Sequence, residues 1–306
     1  MINRIGYACI NQNLKPRGFK ECRLNSVYKY GINYLREKII NNLLLTKDIL
    51  VWNIENDIFM YRVTSKLMPL VTHPDILKDF DWRWQEDKEI LEYMESIKDI
   101  VDINKIRLSM HPDQFTVINS LKENVVKNSI DNLRYHHDVL KSLGGTDIII
   151  HTGGVYGNKK ASMERFIRNF NELDYSIQQM IRLENDDVSY NVDDVLYINS
   201  KTSVPIVLDI HHHRCNHDND LMKEDIIKIN ETWNKAGITP KLHISSGKDG
   251  INDRKHSDYI TNEDFESLLE LVEGIQADLM VEAKEKDNAT LKLLQHYSFC
   301  KQSTDI

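Results

Sequence analysis

Seven residues of the kinds that hold metal ions or move protons follow short apolar runs in this chain. His111 follows IRLSM, His151 follows DIII, Glu184 follows MIRL and His243 follows PKL. Asp209 follows PIVL, with His212 three residues on, and Glu282 follows DLMV. Imidazoles and carboxylates without a thiolate suit Zn²⁺, Mn²⁺ or Fe²⁺ in a nitrogen/oxygen site. These donors outnumber what one ion needs. A cluster of two or three ions is the natural inference.

Something must bring those donors together. The apolar runs predict eight strands: Arg4 to Ala8, Ile49 to Asn53, Lys105 to Ser109, Thr146 to Ile150, Met180 to Leu183, Pro205 to Leu208, Pro240 to Leu242 and Asp278 to Val281. Helical patterns separate them, at Tyr34 to Leu45, Glu86 to Val101, Val125 to Leu143, Ala161 to Gln179, Asp193 to Asn199, Asp225 to Ala236 and Asn262 to Val272. This alternation predicts an α/β protein, a (β/α)8 TIM barrel with 1–306 as a single domain, an open doubly wound sheet being the alternative. The second strand and the segment Ile58 to Val71 carry the weakest pattern. Six of the eight strands finish in a His, Asp or Glu, and a barrel gathers those ends into one ring, where barrel active sites are built.

Taken singly, each residue has a plainer account. A His after a strand is commonly a cap or core residue, Glu184 could begin a turn, and Asp209 could cap the adjoining segment. The run His211-His212-His213 could be a solvated loop. The joint pattern outweighs these accounts, because six accidents at the same end of the strands are less probable than one site. His136, His137 and His296 lie inside helical patterns and read as structural or surface residues, and His217 is unassigned.

Composition bounds the rest. Of 306 residues 41% are apolar, ample for a buried core and against intrinsic disorder. No run approaches the roughly 18 apolar residues of a membrane span, and the mean hydropathy of -0.47 agrees. The N-terminal MINRIGYACI reads as a first strand rather than a signal peptide. Four cysteines (Cys9, Cys22, Cys215, Cys300) lack a CxxC pair, which predicts a reduced, cytoplasmic protein. The formal charge of -8 argues against a nucleic-acid binder unless a basic stripe or bound cations supply local positive charge.

Eight segments together resemble the UV damage endonucleases, DNA-repair nucleases built on a TIM barrel related to endonuclease IV. They are RIGYACIN, SMHPDQF, IIIHTGG, RLEND, VLDIHHHRC, PKLHISSG, KHSDY and MVEAKEKD, in the family's order from Arg4 to about Leu294. The resemblance implies hydrolysis of the phosphodiester bond 5′ to a damaged nucleotide, leaving a 3′-hydroxyl and a 5′-phosphate. It implies two or three divalent ions per chain, Mn²⁺ first and Zn²⁺, Co²⁺ or Mg²⁺ as alternatives. By the resemblance His111, His151, Glu184, Asp209, His212, His243, His256 and Glu282 are metal ligands, with Glu184 bridging two ions and His73 near the same site. Lys241 matches a lysine carboxylated in the family. Glu184, Lys241 and Glu282 are the candidates for direct catalytic roles.

The resemblance also implies lesion-probing residues. A Gln-Tyr pair probes the duplex in the family. Here it is Gln114-Phe115, which keeps a stacking face and loses a hydroxyl. Tyr7 and Asn11 resemble residues close to the lesion, with a core-edge Tyr and a turn Asn as the plainer account. Lys15, Arg17, Lys20, Lys159 and Lys160 fall in loops where they could hold phosphates. The expected partner is damaged double-stranded DNA, bound by a monomer. Two other functions fit less well: a metal-dependent sugar isomerase of the xylose-isomerase type, and a non-catalytic damaged-DNA-binding or metal-storage protein.

Overall fold

Short parallel strands, covered outside by the helices that connect them and filled inside by their own side chains, close into a barrel in chain order. The computed structural model describes residues 1–14 and 17–304, with side chains through residue 297. The strands are β1 (Ile2–Ala8), β2 (Met60–Val63), β3 (Arg107–Met110), β4 (Asp147–His151), β5 (Ile181–Glu184), β6 (Ile206–Asp209), β7 (Lys241–Ile244) and β8 (Ala277–Val281). Each pairs with the next, and β8 returns to β1 through Ile5↔Leu279 and Tyr7↔Val281. The TIM barrel expected from the alternation is the observed fold, and the doubly wound alternative falls.

Gly6, in the opening motif, is required by that closure. A Cβ there would lie 2.0 Å from the Met60 carbonyl oxygen, closer than any side chain permits.

The second strand is a correction. Ile49 to Asn53 belongs to a 24-residue helix, Ile32–Glu55, that outruns the expected Tyr34 to Leu45. Leu43, Leu45, Ile49, Leu50 and Asn53 are all buried on it, and a short apolar run reads alike in a buried helix and a buried strand. The true β2, with the sequence MYRV, lies inside the weakly patterned segment Ile58 to Val71. The helix expected at Ala161 to Gln179 is two pieces, Lys159–Asn171 and Tyr175–Gln178. The His211-His212-His213 run is not a solvated loop. It sits in the helix Ile210–Cys215 with His211 and His213 buried.

Alternate residues of each strand face the barrel interior, and they stack in tiers. The lowest tier is charged. Asp147 lies 2.7 Å from Arg107, 2.9 Å from Arg182 and 2.8 Å from Lys241. Arg107 also reaches Asp278 at 2.8 Å. Trp233 closes this end, its ring centroid 5.2 Å from the Arg107 guanidinium and 5.3 Å from that of Arg182. Its indole N–H donates to the Ile206 carbonyl at 2.7 Å. A thin apolar tier, with Ile149 and Val207 against Trp233 and Ala8 and Met60 against Met280, separates these charges from the mouth.

His136 shows the cost of a buried imidazole. It lies inside the helix Glu123–Ser142, with Nδ1 2.8 Å from the Asn132 carbonyl and no partner for Nε2. Burial lowers its pKa to about 4. Below about pH 6.5 the unfolded chain therefore takes up a proton that the folded chain refuses, so stability falls as pH falls. The loss approaches about 3 kcal/mol near pH 4. His136→Gln keeps an N–H donor in place and removes the titration. The melting temperature of this variant should fall less between pH 7 and pH 5 than that of the parent, and identical slopes would refute the assignment.

Candidate metal centre

The upper tier gathers the strand-end donors as the sequence leads one to expect. His151, Glu184 and Asp209 are the last residues of β4, β5 and β6, while His111 and Glu282 directly follow β3 and β8. Three groups of donors have ligand atoms close enough to share an ion: His111, His151 and Glu184; Glu184, Asp209 and His212; Glu184, His243 and Glu282. Glu184 belongs to all three. Its carboxylate lies 2.7 Å from His243 Nδ1, 3.3 Å from His111 Nε2, 3.6 Å from His151 Nε2 and 3.8 Å from His212 Nδ1.

Charge in this tier favours cations. Burial pushes the Glu184 carboxyl up, but His243, His151 and His111 outweigh it and hold the pKa well below the usual carboxylate range. Burial pulls His212 down, yet Asp209, Glu184 and Glu282 overcome it and leave its pKa up at about 9. Glu184 Oε2 and Asp209 Oδ2, which share a donor group, are buried with no hydrogen-bond partner, an arrangement that costs stability unless something positive lies beside them. The donors are imidazole nitrogens and carboxylate oxygens only. That set fits Mn²⁺, Zn²⁺ or Fe²⁺.

Several residues position the donors. Asp209 caps the helix Ile210–Cys215, its carboxylate accepting from the His212 backbone N–H at 2.7 Å. The cap reading and the ligand reading of Asp209 are thus compatible, since its other oxygen stays free. Asn185 clamps β5 to β6, donating to the Asp209 carbonyl at 3.0 Å and accepting from the Asp209 N–H at 2.9 Å. Arg62, on β2, ion-pairs with Glu282 and helps to lower its pKa against the opposing effect of burial. Sequence reading missed Arg62 because β2 was misplaced, and missed Asn185 because an Asn after a strand looks like a turn residue.

Other expected site residues lie elsewhere. His256 is outside the three groups, with Nε2 3.5 Å from Ser245 Oγ and its backbone bridged to Gly247. His73 caps the helix Pro74–Asp79, its Nδ1 accepting from the Asp75 N–H. Lys241, two residues before His243 on the same face of β7, reaches down to Asp147 rather than up to the donors. Burial lowers its pKa to about 8 although Asp147 opposes the shift.

Tyr7 and Asn11 are both buried. The Tyr7 hydroxyl donates to Asn53 Oδ1 at 2.7 Å and accepts from the Asn11 amide at 2.8 Å. In this structure they brace the loop after β1 and offer no face to a duplex. Arg17 pairs with Asp48 and Lys159 with Asp194, Lys20 and Lys160 have their side chains toward the surface, and Lys15 lies outside the described residues.

Beside the donors opens a cleft of about 750 Å³ lined by His111 through Val117, His151, Tyr156 and Asp186 through Ser189. Phe115 stands on its rim with 75% of its surface exposed, and Gln114 beside it is exposed as well. The Phe115 N–H is held by the Asp113 carboxylate at 2.9 Å, so a tight turn presents the ring.

Residues 3–306 match the family described as UV-endonuclease UvdE. The chain belongs to the UvdE family. It is 37% identical over 260 residues to a UV DNA damage endonuclease of Bacillus mycoides, covering 83% of this chain and 80% of the relative. The crystal structure of SacUVDE is 31% identical, with a TM-score of 0.86 over 96% of this chain and 99% of that one. Endonuclease IV from Thermus thermophilus superposes with a TM-score of 0.56 at 12% identity, a likeness of fold alone. Membership of this family accounts for the ordered motifs from one end of the barrel to the other. Among the described residues no helix is long and apolar enough to cross a membrane.

Proposed function

We propose that the chain is a metal-dependent endodeoxyribonuclease that cuts the phosphodiester bond 5′ to UV photoproducts and other lesions in double-stranded DNA, leaving a 3′-hydroxyl and a 5′-phosphate. The observation that carries this reading is the set of three donor groups sharing Glu184, placed at the mouth of the barrel beside an open cleft. Family membership supports the nuclease over a sugar isomerase. The exposed aromatic on the rim supports a nucleic-acid substrate.

His111, His151, Glu184, Asp209, His212, His243 and Glu282 would hold two or three divalent ions, with Mn²⁺ the first choice. Such ions neutralise the phosphate, lower the pKa of a water toward 7 and stabilise the departing oxygen. Asn185 and Arg62 keep Asp209 and Glu282 aimed into the site. Lys241, with its pKa near 8, is partly neutral in mildly alkaline solution, and a neutral amine is the form that takes up CO₂ as a carbamate. A carboxylated Lys241 would add another oxygen donor only by turning its side chain from Asp147 toward the mouth. His256 and His73 belong to the same proposal as more distant contributors. We take the enzyme to act as a monomer in the cytoplasm.

Incubating the purified protein with a UV-irradiated, end-labelled duplex tests the reading. Nicking should occur 5′ to the lesion, stop in EDTA and return with Mn²⁺. Full nicking after exhaustive chelation, with no metal found by elemental analysis, would overturn the metal mechanism, and absence of lesion-dependent nicking would overturn the function.

Phe115 supplies a separate test of lesion probing. Stacking of an aromatic on a base is worth roughly 1–3 kcal/mol, so Phe115→Ala should weaken binding to damaged duplex by about one to two decades. A ring this exposed contributes little to the core, so the melting temperature should stay unchanged. Phe115→Tyr should bind as well as the parent. Unchanged affinity in Phe115→Ala removes Phe115 from the probe.

A further inference from the structure

A second cluster of imidazoles and carboxylates lies beside the short helix that carries His212. His213 lines a recess of about 90 Å³ together with His217 and four aspartates, Asp193, Asp218, Asp220 and Asp225. No lysine or arginine is among its described lining residues. His213 is only 8% exposed, and neither of its ring nitrogens has a hydrogen-bond partner. The His217 ring lies 5.1 Å away between centroids, tilted by 32°. His217 Nδ1 faces the His213 carbonyl at 2.9 Å, which leaves Nε2 free and 3.7 Å from Asp220. Asp218 is steadied by the Asn191 amide at 2.8 Å.

A buried imidazole with two idle nitrogens is costly, and here it borders a recess that is negatively charged. We propose that this recess is a second cation site, separate from the candidate metal centre, for a divalent transition ion such as Zn²⁺, Co²⁺ or Ni²⁺. His213, His217 and Asp220 are the ligands. The mixture of imidazole and carboxylate selects these ions over Mg²⁺ and Ca²⁺, which take oxygen donors. Asp220, with 97% of its side chain exposed, is free to swing onto the ion. The site shares no residue with the three donor groups of the barrel mouth, and unlike theirs its ligand atoms are not all within reach of one ion until Asp220 and the rings draw together. Its ion would tie the segment after the helix Ile210–Cys215 back onto that helix, a structural role and not a catalytic one.

Equilibrium dialysis of the full chain against buffered Zn²⁺, followed by elemental analysis, tests the site. The parent should hold one more zinc per chain than His217→Gln, and Asp220→Asn should bind that zinc more weakly. Both variants should nick irradiated duplex in Mn²⁺ at the parent's rate, and Zn²⁺ should raise the parent's melting temperature more than that of His217→Gln. Equal zinc content in parent and His217→Gln would overturn the proposal. So would a His213→Leu variant that melts higher with unchanged zinc content, since that identifies a frustrated buried ring with no ligand. His217 and Asp220 lie outside the core, so the zinc comparison stands even where His213→Leu fails to fold.

Discussion

Glu184→Gln is expected to reduce nicking of UV-irradiated duplex by about a thousandfold or more at saturating Mn²⁺. The substitution is nearly isosteric but removes the one charge that all three donor groups share. Metal-borne stabilisation of the transition state is worth several kcal/mol, and each 1.4 kcal/mol is a factor of ten. Loss of a carboxylate common to all three donor groups should forfeit most of that. Bound metal, measured by elemental analysis, should fall in parallel, while the far-ultraviolet circular dichroism stays that of the parent. A variant that keeps its metal and works within tenfold of the parent would show that the shared carboxylate is not the hub.

The largest effect on stability is expected one tier lower. Asp147 is fully buried and answers three cations, Arg107, Arg182 and Lys241. Breaking one side of a buried ion pair costs about 3–5 kcal/mol, because the surviving charge has neither partner nor water. Asp147→Asn should therefore lower the melting temperature by about 5–8 °C. Arg4→Ala, which removes a half-exposed partner of Asp278, should cost less than about 1 kcal/mol. The surrounding cations hold the Asp147 carboxyl, against burial, well below its usual pKa, so its contribution is present above about pH 4 and fades as pH falls further. Equal melting of Asp147→Asn and Arg4→Ala would mean that the tier relaxes or takes up water.

The donors were legible because each comes at the end of an apolar run, where a charged or imidazole side chain breaks the pattern visibly. The tier beneath them was not. Arg107, Asp147, Arg182, Lys241 and Asp278 open their strands or stand second in them, and at that position a charge reads as the last residue of a loop. Only the closed geometry shows that they face inward and neutralise one another. Met60–Val63 was hidden for a related reason, since four residues including an arginine make a faint strand beside the stronger apolar run of the preceding helix. Phe115 was recognised as a candidate probe, but an aromatic in a loop can turn in or out. Its exposure is decided by the turn that Asp113 holds.

The floor formed by Trp233 and the ion-paired residues makes the barrel a well with a single mouth. Ions, water, scissile phosphate and cleaved ends would all have to pass through the same opening. A duplex lying across it would act as a lid, and an ion beneath that lid could exchange with solvent only after the DNA departs. Chelator added to the preformed complex should then act at the rate of DNA release, far more slowly than on the free enzyme.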